Sequence, residues 1–418
     1  MTGRTEIKGL TVSTLSEDTG RNSVGFEMGL PLSGVRILDL SAIIAGPYST
    51  LLLADLGAEV IKIEKPGTGD GARGMPPHYF EGESVYFISF NRNKKSIVLN
   101  LTSAKGKKAF FDLIKESDIV VDNYRPGVVE KLGIDYETLK SVNPRIICCS
   151  ITGYGATGPF KDRPAFDIAV QARGGILSFT GEPGRPPVRM GVPMGDLAGG
   201  MFAAHGILAA LYQREQTGRG QKIDISMLDC QIALLSYRGQ YYLSGNEIAQ
   251  PLGTGHASVH PSRGFKTKSF DIVLDCNMQR IFDEFCTLAG IPEMAKDPKF
   301  SSRDNRFDNR EELYERLEKL FLTRTGEEWL ELMEDRIPIA PINTVDKALA
   351  DPQILSRNMV PEIDYGNGKK LKIIGNPIKM SEIETEKFAP APRLGQDGEA
   401  ILRDLLHCTE NQIAALKP

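Results

Sequence analysis

The residue in this sequence best placed to do chemistry is an aspartate that follows a strand-like run and a glycine-rich loop. It is Asp167, within Pro164-Ala-Phe-Asp-Ile-Ala-Val-Gln-Ala-Arg-Gly-Gly175. The apolar run at 145–152 is continuous rather than alternating, which reads as a strand buried on both faces. Gly153-Tyr-Gly-Ala-Thr-Gly-Pro159 then allows backbone to approach a ligand closely. Asp167 opens a small-residue helix and would present its carboxylate at the edge of a pocket. Aspartate is also a favoured helix N-cap. The two roles are compatible, because helix-terminal N–H groups keep a carboxylate ionised and oriented.

Cations that could bind phosphate gather near strand ends: Lys65, Arg73, the run Asn91-Arg-Asn-Lys-Lys95, and Arg125. Converging on one edge of a parallel sheet, they would form an anion site. Gly67-Thr-Gly-Asp-Gly-Ala-Arg-Gly74 superficially suggests a dinucleotide loop, but Met75-Pro-Pro77 follows it where a helix is required. The sequence has no Gly-x4-Gly-Lys-Ser/Thr loop and no Gly-x-Ser-x-Gly elbow, so the simplest NTPase and hydrolase readings fall away. The five histidines lack metal-ligand spacing, and the six cysteines include no Cys-x-x-Cys. Reduced thiols in a cytoplasmic compartment, with no metal site, are expected.

The elements that must position these residues alternate along the chain. Strand-like runs at 35–41, 58–64, 96–100, 118–122 and 145–152 are separated by helix-like segments at 48–57, 103–115 and 136–142. This is the signature of βαβ units and a mostly parallel α/β sheet, with ligands at the carboxyl ends of the strands. An Ala-rich helix over 199–216 and a strand over 221–227 close this part, strands at 368–377 and a terminal helix over 399–415 the last. The 418 residues exceed what one core usually holds. We expect an N-terminal arm over 1–30, a large domain over 31–224, a small helix-rich domain over 225–339, and a return to the large domain over 340–418. A net charge of −4 without basic blocks argues against nucleic acid and anionic membrane as partners. No apolar run reaches the ~20 residues needed to span a bilayer.

Several motifs carry a family resemblance. Gly34-Val-Arg-Ile-Leu-Asp-Leu-Ser41, Ala45-Gly-Pro47, Leu56-Gly-Ala-Glu-Val-Ile-Lys-Ile-Glu-Lys-Pro-Gly67, Asn91-Arg-Asn-Lys-Lys-Ser96, Asn123-Tyr-Arg-Pro-Gly127 and Thr217-Gly-Arg-Gly-Gln221 occur in that order. Together they resemble the family III coenzyme A transferases, over about residues 34–382. The resemblance implies an open-ring α/β fold with a Rossmann-like large domain and a smaller α+β domain, two subunits interlocking as a homodimer or with a homologous subunit. It implies that Asp167 is the nucleophile and that CoA, a substrate rather than a tightly bound cofactor, meets Lys65, Lys94 and Lys131, with Ala45 and Met201 as apolar contacts. Arg73 joins these as a further phosphate candidate. The family's mobile glycine loop falls on Gly253-Thr-Gly-His256, and the N–H groups of Gly253 and Gly255 are the candidates for stabilising oxyanions. Lys268-Ser-Phe270 departs from the family's usual Lys-Asp-Gly turn and marks the small domain as locally rebuilt.

The expected reaction exchanges one thioester for another through mixed anhydrides and an aspartyl-CoA thioester. An acyl-CoA racemase is the alternative, but it needs a histidine–aspartate pair, and Phe166 stands before Asp167. A non-catalytic CoA-binding subunit is a further alternative, opposed by the retained aspartate. Beside the nucleophile, Ala42-Ile43-Ile44 offers hydrocarbon instead of hydrogen bonds. This predicts succinyl-CoA as donor and a substituted dicarboxylate acceptor with a sizeable apolar body, such as benzylsuccinate.

Overall fold

A computed structural model describes residues 29–366, 368–383 and 386–416. All but the last two residues of the expected N-terminal arm lie outside the described residues. Six strands form the main sheet: β1 (Arg36–Asp39), β2 (Glu59–Glu64), β3 (Lys94–Val98), β4 (Ile119–Asp122), β5 (Ile147–Thr152) and β6 (Lys222–Ser226). Their order is β3-β2-β1-β4-β5-β6, parallel throughout. The direction of strand addition reverses between β1 and β4. Doubly wound sheets open a ligand crevice at the carboxyl ends of such a strand pair.

Continuous apolar strands are buried on both faces because helices cover both. Ile37, Val60 and Cys149 face one core with Leu53 and Ile207; Leu38, Ile61 and Cys148 face the other with Phe110 and Leu113. The first core is roofed by α1 (Ala45–Ala54), and a short helix α2 (Val85–Asn91) precedes β3. The second core is roofed by α3 (Ala104–Lys115), where Ser103 caps the N-terminus by accepting from Gly106 N, and Ala109, Phe110, Leu113 and Ile114 form the buried stripe.

After β5 come α4 (Asp167–Arg173) and α5 (Met194–Thr217). Small residues let α5 lie almost against α1: a Cβ on Gly200 would come within 2.8 Å of the Ala45 carbonyl oxygen. The expectation that no membrane-length apolar segment exists needs correction. Among the described residues α5 alone is long and apolar enough to cross a bilayer, but half of its most apolar stretch is buried within the protein. That burial against α1 accounts for its composition, since close helix packing selects Gly and Ala.

A second sheet is antiparallel, in the order β9-β8-β7, from β7 (Ser262–Phe265), β8 (Ile272–Asp275) and β9 (Ile339–Pro341). Its aromatic core includes Phe282, Phe285, Phe321 and Trp329. The unusual Ser269-Phe270 segment has its own support. Gly326 N donates to Ser269 Oγ at 2.9 Å, and the Phe270 ring lies where a side chain on Gly326 would be, 2.4 Å from a built Cβ. The expected terminal helix is broken into Gly398–Ala400, a wide turn at Ile401–Leu405 and Glu410–Ala414. His407 is left-handed at φ 54° and Thr409 starts a new capping box, so one continuous helix is impossible.

Under the crevice lies a buried ionic network. The Asp39 carboxylate accepts from Ser41 N at 2.9 Å, from the Ser41 hydroxyl, from Thr50 Oγ1 at 2.8 Å and from Lys94 Nζ at 3.0 Å. Lys62 Nζ reaches Asp70 at 2.9 Å and donates to the Ser41 carbonyl at 2.8 Å. Burial alone would raise the Asp39 carboxyl, but Lys62 and Lys94 with the two hydroxyls hold it far below the usual carboxylate range. The stabilisation is therefore complete above about pH 4 and is lost as pH falls further.

Removing one member leaves a buried charge unpaired. Asp39→Ala or Lys94→Ala should cost about 3–5 kcal/mol in urea unfolding, while Lys65→Ala, at an exposed position, should stay within about 0.5 kcal/mol. Equal effects at Lys94 and Lys65 would contradict this.

Candidate active site

Asp167 is the first residue of α4 rather than its cap; Phe166, with extended backbone, occupies the cap position. Upstream, Gly153 allows the close passage that delivers this segment, since a Cβ there would sit 2.1 Å from Ala165 Cβ. Asp167 is only 6% exposed. Its Oδ1 accepts from Gly195 N, in the first turn of α5, at 2.7 Å. Its Oδ2 accepts from Gln171 Nε2 and Arg189 Nη2, both at 2.8 Å. Gln171 stands one turn along α4 and is itself fixed by Met190 N, which donates to its Oε1 at 3.3 Å. Three donors, one of them from the N-terminus of α5, orient this carboxylate.

A second carboxyl stands beside it. Burial, and then the negative charge of Asp167, push Asp196 up to about 7, with Arg189 partly opposing. The Tyr86 phenol on α2 is likewise raised, by burial first and then by Asp196. Gly195, Gly199 and Gly200 link Asp167 to the β1–α1 loop: a side chain on Gly195 would touch Asp167, one on Gly199 or Gly200 would touch Ala45. One turn of α5, ~5.4 Å, separates the two.

The β1–α1 loop is rigid. Asn123, after β4, accepts from Ala42 N at 2.9 Å and donates to Ala42 O at 2.7 Å, bridging the crevice at the reversal point. Ile43 N donates to Asp70 at 3.0 Å. Ile43 has φ 71°, a strained conformation for a β-branched residue that these bonds sustain. Ile44 and Ala45 are buried, so the broad apolar wall expected of Ala42-Ile43-Ile44 shrinks to the partly exposed Ala42 and Ile43.

Three other expectations change. Lys94 is spent in the core network, its Nζ bonded to Asp39, Pro47 O and Asn91, because its position opens a strand that runs under the loop. Arg73 is spent on Glu64 and Glu83 and stacks on Phe87. Neither is available to a phosphate in this structure. Lys65 and Lys131 are exposed, following β2 and β4 on either side of β1. Gly253 N donates to Gly181 O and Gly255 N to Leu252 O, both at 2.8 Å, so neither N–H is a free oxyanion donor here. Met201 lies exposed on α5, while Ala45 is buried. Among the described residues no His/Cys/Asp/Glu cluster could hold a metal ion.

The family model described as CoA-transferase family III matches residues 32–398. The chain belongs to CoA-transferase family III. The succinyl-CoA:glutarate CoA-transferase of Homo sapiens is 39% identical over 399 residues, covering 95% of this chain and 91% of that protein. The acetyl-CoA:oxalate CoA-transferase of Acetobacter aceti is 37% identical over 377 residues, covering 90% and 95%. A crystal structure of a CAIB/BAIF family protein from Brucella suis superposes with a TM-score of 0.80 at 35% identity, over 90% of this chain and all of that one. This transferase thus has the family's α/β fold.

The sequence reading of this CoA-transferase missed Gln171, Arg189, Gly195 and Asp196 as site residues. Gln171 had a signal, standing four residues after Asp167 on one helix face. Arg189 comes from an irregular loop and had none.

A carboxyl at about 7 titrates near neutrality. Its neutral form spares an anionic substrate one repulsive charge, so kcat/KM should fall as pH rises through about 7. Asp196→Asn should flatten that limb of the pH profile. A limb unchanged in the variant would assign it to another group.

Proposed function

We propose that this CoA-transferase moves CoA from succinyl-CoA to a short aliphatic dicarboxylate of the glutarate kind, with Asp167 as the covalent carrier. The observation carrying this reading is Asp167 itself: a buried carboxylate at the start of a helix, with three donors on its oxygens. The free acids in the names of the two relatives, glutarate and oxalate, are small diacids, and neither supports an aryl-substituted acceptor such as benzylsuccinate. Little of the residue 42–44 wall is exposed to receive such a group.

Asp167 attacks the thioester carbonyl, the C–S bond breaks, and CoA leaves as thiolate with a mixed anhydride behind it. The thiolate attacks the aspartyl carbon, releasing succinate and forming an aspartyl-CoA thioester. The acceptor carboxylate then attacks that thioester, expelling thiolate, which returns to the acceptor's acyl carbon and frees Asp167. No net proton or nucleotide is consumed. Lys65 and Lys131 are suited to the CoA phosphates, as exposed cations flanking the crevice.

The racemase alternative loses ground because the residue before Asp167 is Phe166, 76% exposed and without an ionisable group. An interlocked pair of identical chains fits the exposed apolar residues along and beyond α5, among them Met201, Phe202, Tyr212, Ile232 and Leu243, which two copies would cover together. Light scattering should give twice the chain mass; a monomer would remove this part of the reading.

A panel of free acids with succinyl-CoA tests the substrate. Glutarate and its four- to six-carbon neighbours should be used efficiently, and benzylsuccinate poorly. Efficient benzylsuccinate transfer with no activity on straight diacids would overturn the acceptor reading while leaving CoA transfer intact.

A further inference from the structure

Arg189 is the side chain that both covers the nucleophile and faces the pocket. Its guanidinium is 52% exposed while the carboxylate beneath it is 6% exposed. Among the described residues only Nη2 is engaged, with Asp167 Oδ2 at 2.8 Å, leaving the remaining donors of the fork for another acceptor. In this pose the charge pair quiets the nucleophile. An Asp167 oxygen that is accepting two hydrogen bonds is a poorer attacker than a free one.

The buried cations beneath the crevice are committed elsewhere, and the exposed Lys65 and Lys131 are read above as partners of the CoA phosphates. Lys62 and Lys94 lie in the Asp39–Asp70 network, and Arg73 is clamped between Glu64 and Glu83. Meanwhile the pocket already holds Asp167 and the adjacent Asp196. A substrate bringing a second, non-reacting carboxylate into that field needs a cation, and Arg189 is the one that the site presents. Its planar fork matches a carboxylate in bidentate geometry.

The segment bearing Arg189 can supply the movement. Gly181 and Gly184 have positive φ, and Gly191 follows Met190. The segment is pinned by long bonds, Val188 N to Thr180 O at 3.4 Å and Met190 N to Gln171 Oε1 at 3.3 Å. It also underlies the 252–256 loop, where Gly181 O receives Gly253 N and Glu182 abuts Gly253.

We infer that Arg189 reads the distal carboxylate of the dicarboxylate substrate and, in turning to it, releases Asp167 for attack. This rests on the dicarboxylate reading above. It also sets a length. With C–C bonds of ~1.5 Å, the carboxyl carbons of a four- or five-carbon diacid stand roughly 4–5 Å apart, enough for one to meet Asp167 while the other meets Arg189. Oxalate, whose carboxyls are directly bonded, cannot divide itself this way.

The test compares Arg189→Gln and Arg189→Lys with wild type, using glutarate and its one-carboxylate counterpart pentanoate as acceptors. Loss of a charge-assisted hydrogen-bond pair predicts that the glutarate-to-pentanoate ratio of kcat/KM falls about tenfold to a hundredfold in Arg189→Gln. The loss should lie mainly in the glutarate KM, with Arg189→Lys intermediate. Equal losses on both acids, carried in kcat, would mean that Arg189 merely positions Asp167 and would overturn the inference. Wild-type enzyme that prefers pentanoate to every diacid would instead overturn the dicarboxylate reading on which it rests.

Discussion

Everything at the substrate crevice depends on the charge pairing of Asp39, Lys62, Lys94 and Asp70 beneath it. Two lysines and two aspartates out of water would be ruinous singly, since each desolvated ion costs several kcal/mol and only good geometry repays it. Here each charge has an opposite neighbour or a hydroxyl or backbone partner. What the network returns is position. It ties together the carboxyl end of β1, β2, the start of β3 and the turn at Asp70, and so fixes the Ile43 backbone in a conformation that a β-branched residue would not otherwise keep.

From this anchored loop the site is assembled by one helix. The glycines at the start of α5 touch α1 at one turn and Asp167 at the next, so the packing that buries α5 also sets the distance between the crevice and Asp167. Opposed tendencies then coexist within a few ångströms. Asp167 is surrounded by donors, whereas Asp196, half-buried without comparable donors and facing a like charge, is pushed up to about 7. A site that must accept anions benefits from that division of labour.

Much of the fold was legible in the sequence because strand and helix periodicities are local. The apolar runs near 35–41, 58–64, 118–122 and 145–152 each contain an observed strand, and the 136–142 helix has its expected bounds. The position of Asp167 at the start of a helix was legible because a strand and a glycine-rich loop lead into it. What failed depended on contacts distant in sequence. Lys94 reads as a surface cation until Asp39, 55 residues away, is seen to claim it. Gly253 and Gly255 read as open N–H donors until Gly181 and Leu252 occupy them. Arg189 lies 22 residues from its partner in a segment with no periodicity at all.

The central claim is that Asp167 becomes covalently attached to acyl or CoA groups during turnover. The direct measurement is peptide mass spectrometry after incubation with succinyl-CoA and reduction with borohydride. The account predicts homoserine in place of aspartate at residue 167, dependent on succinyl-CoA and abolished in Asp167→Asn. Full turnover with residue 167 unmodified, or modification confined to another carboxylate, would contradict it.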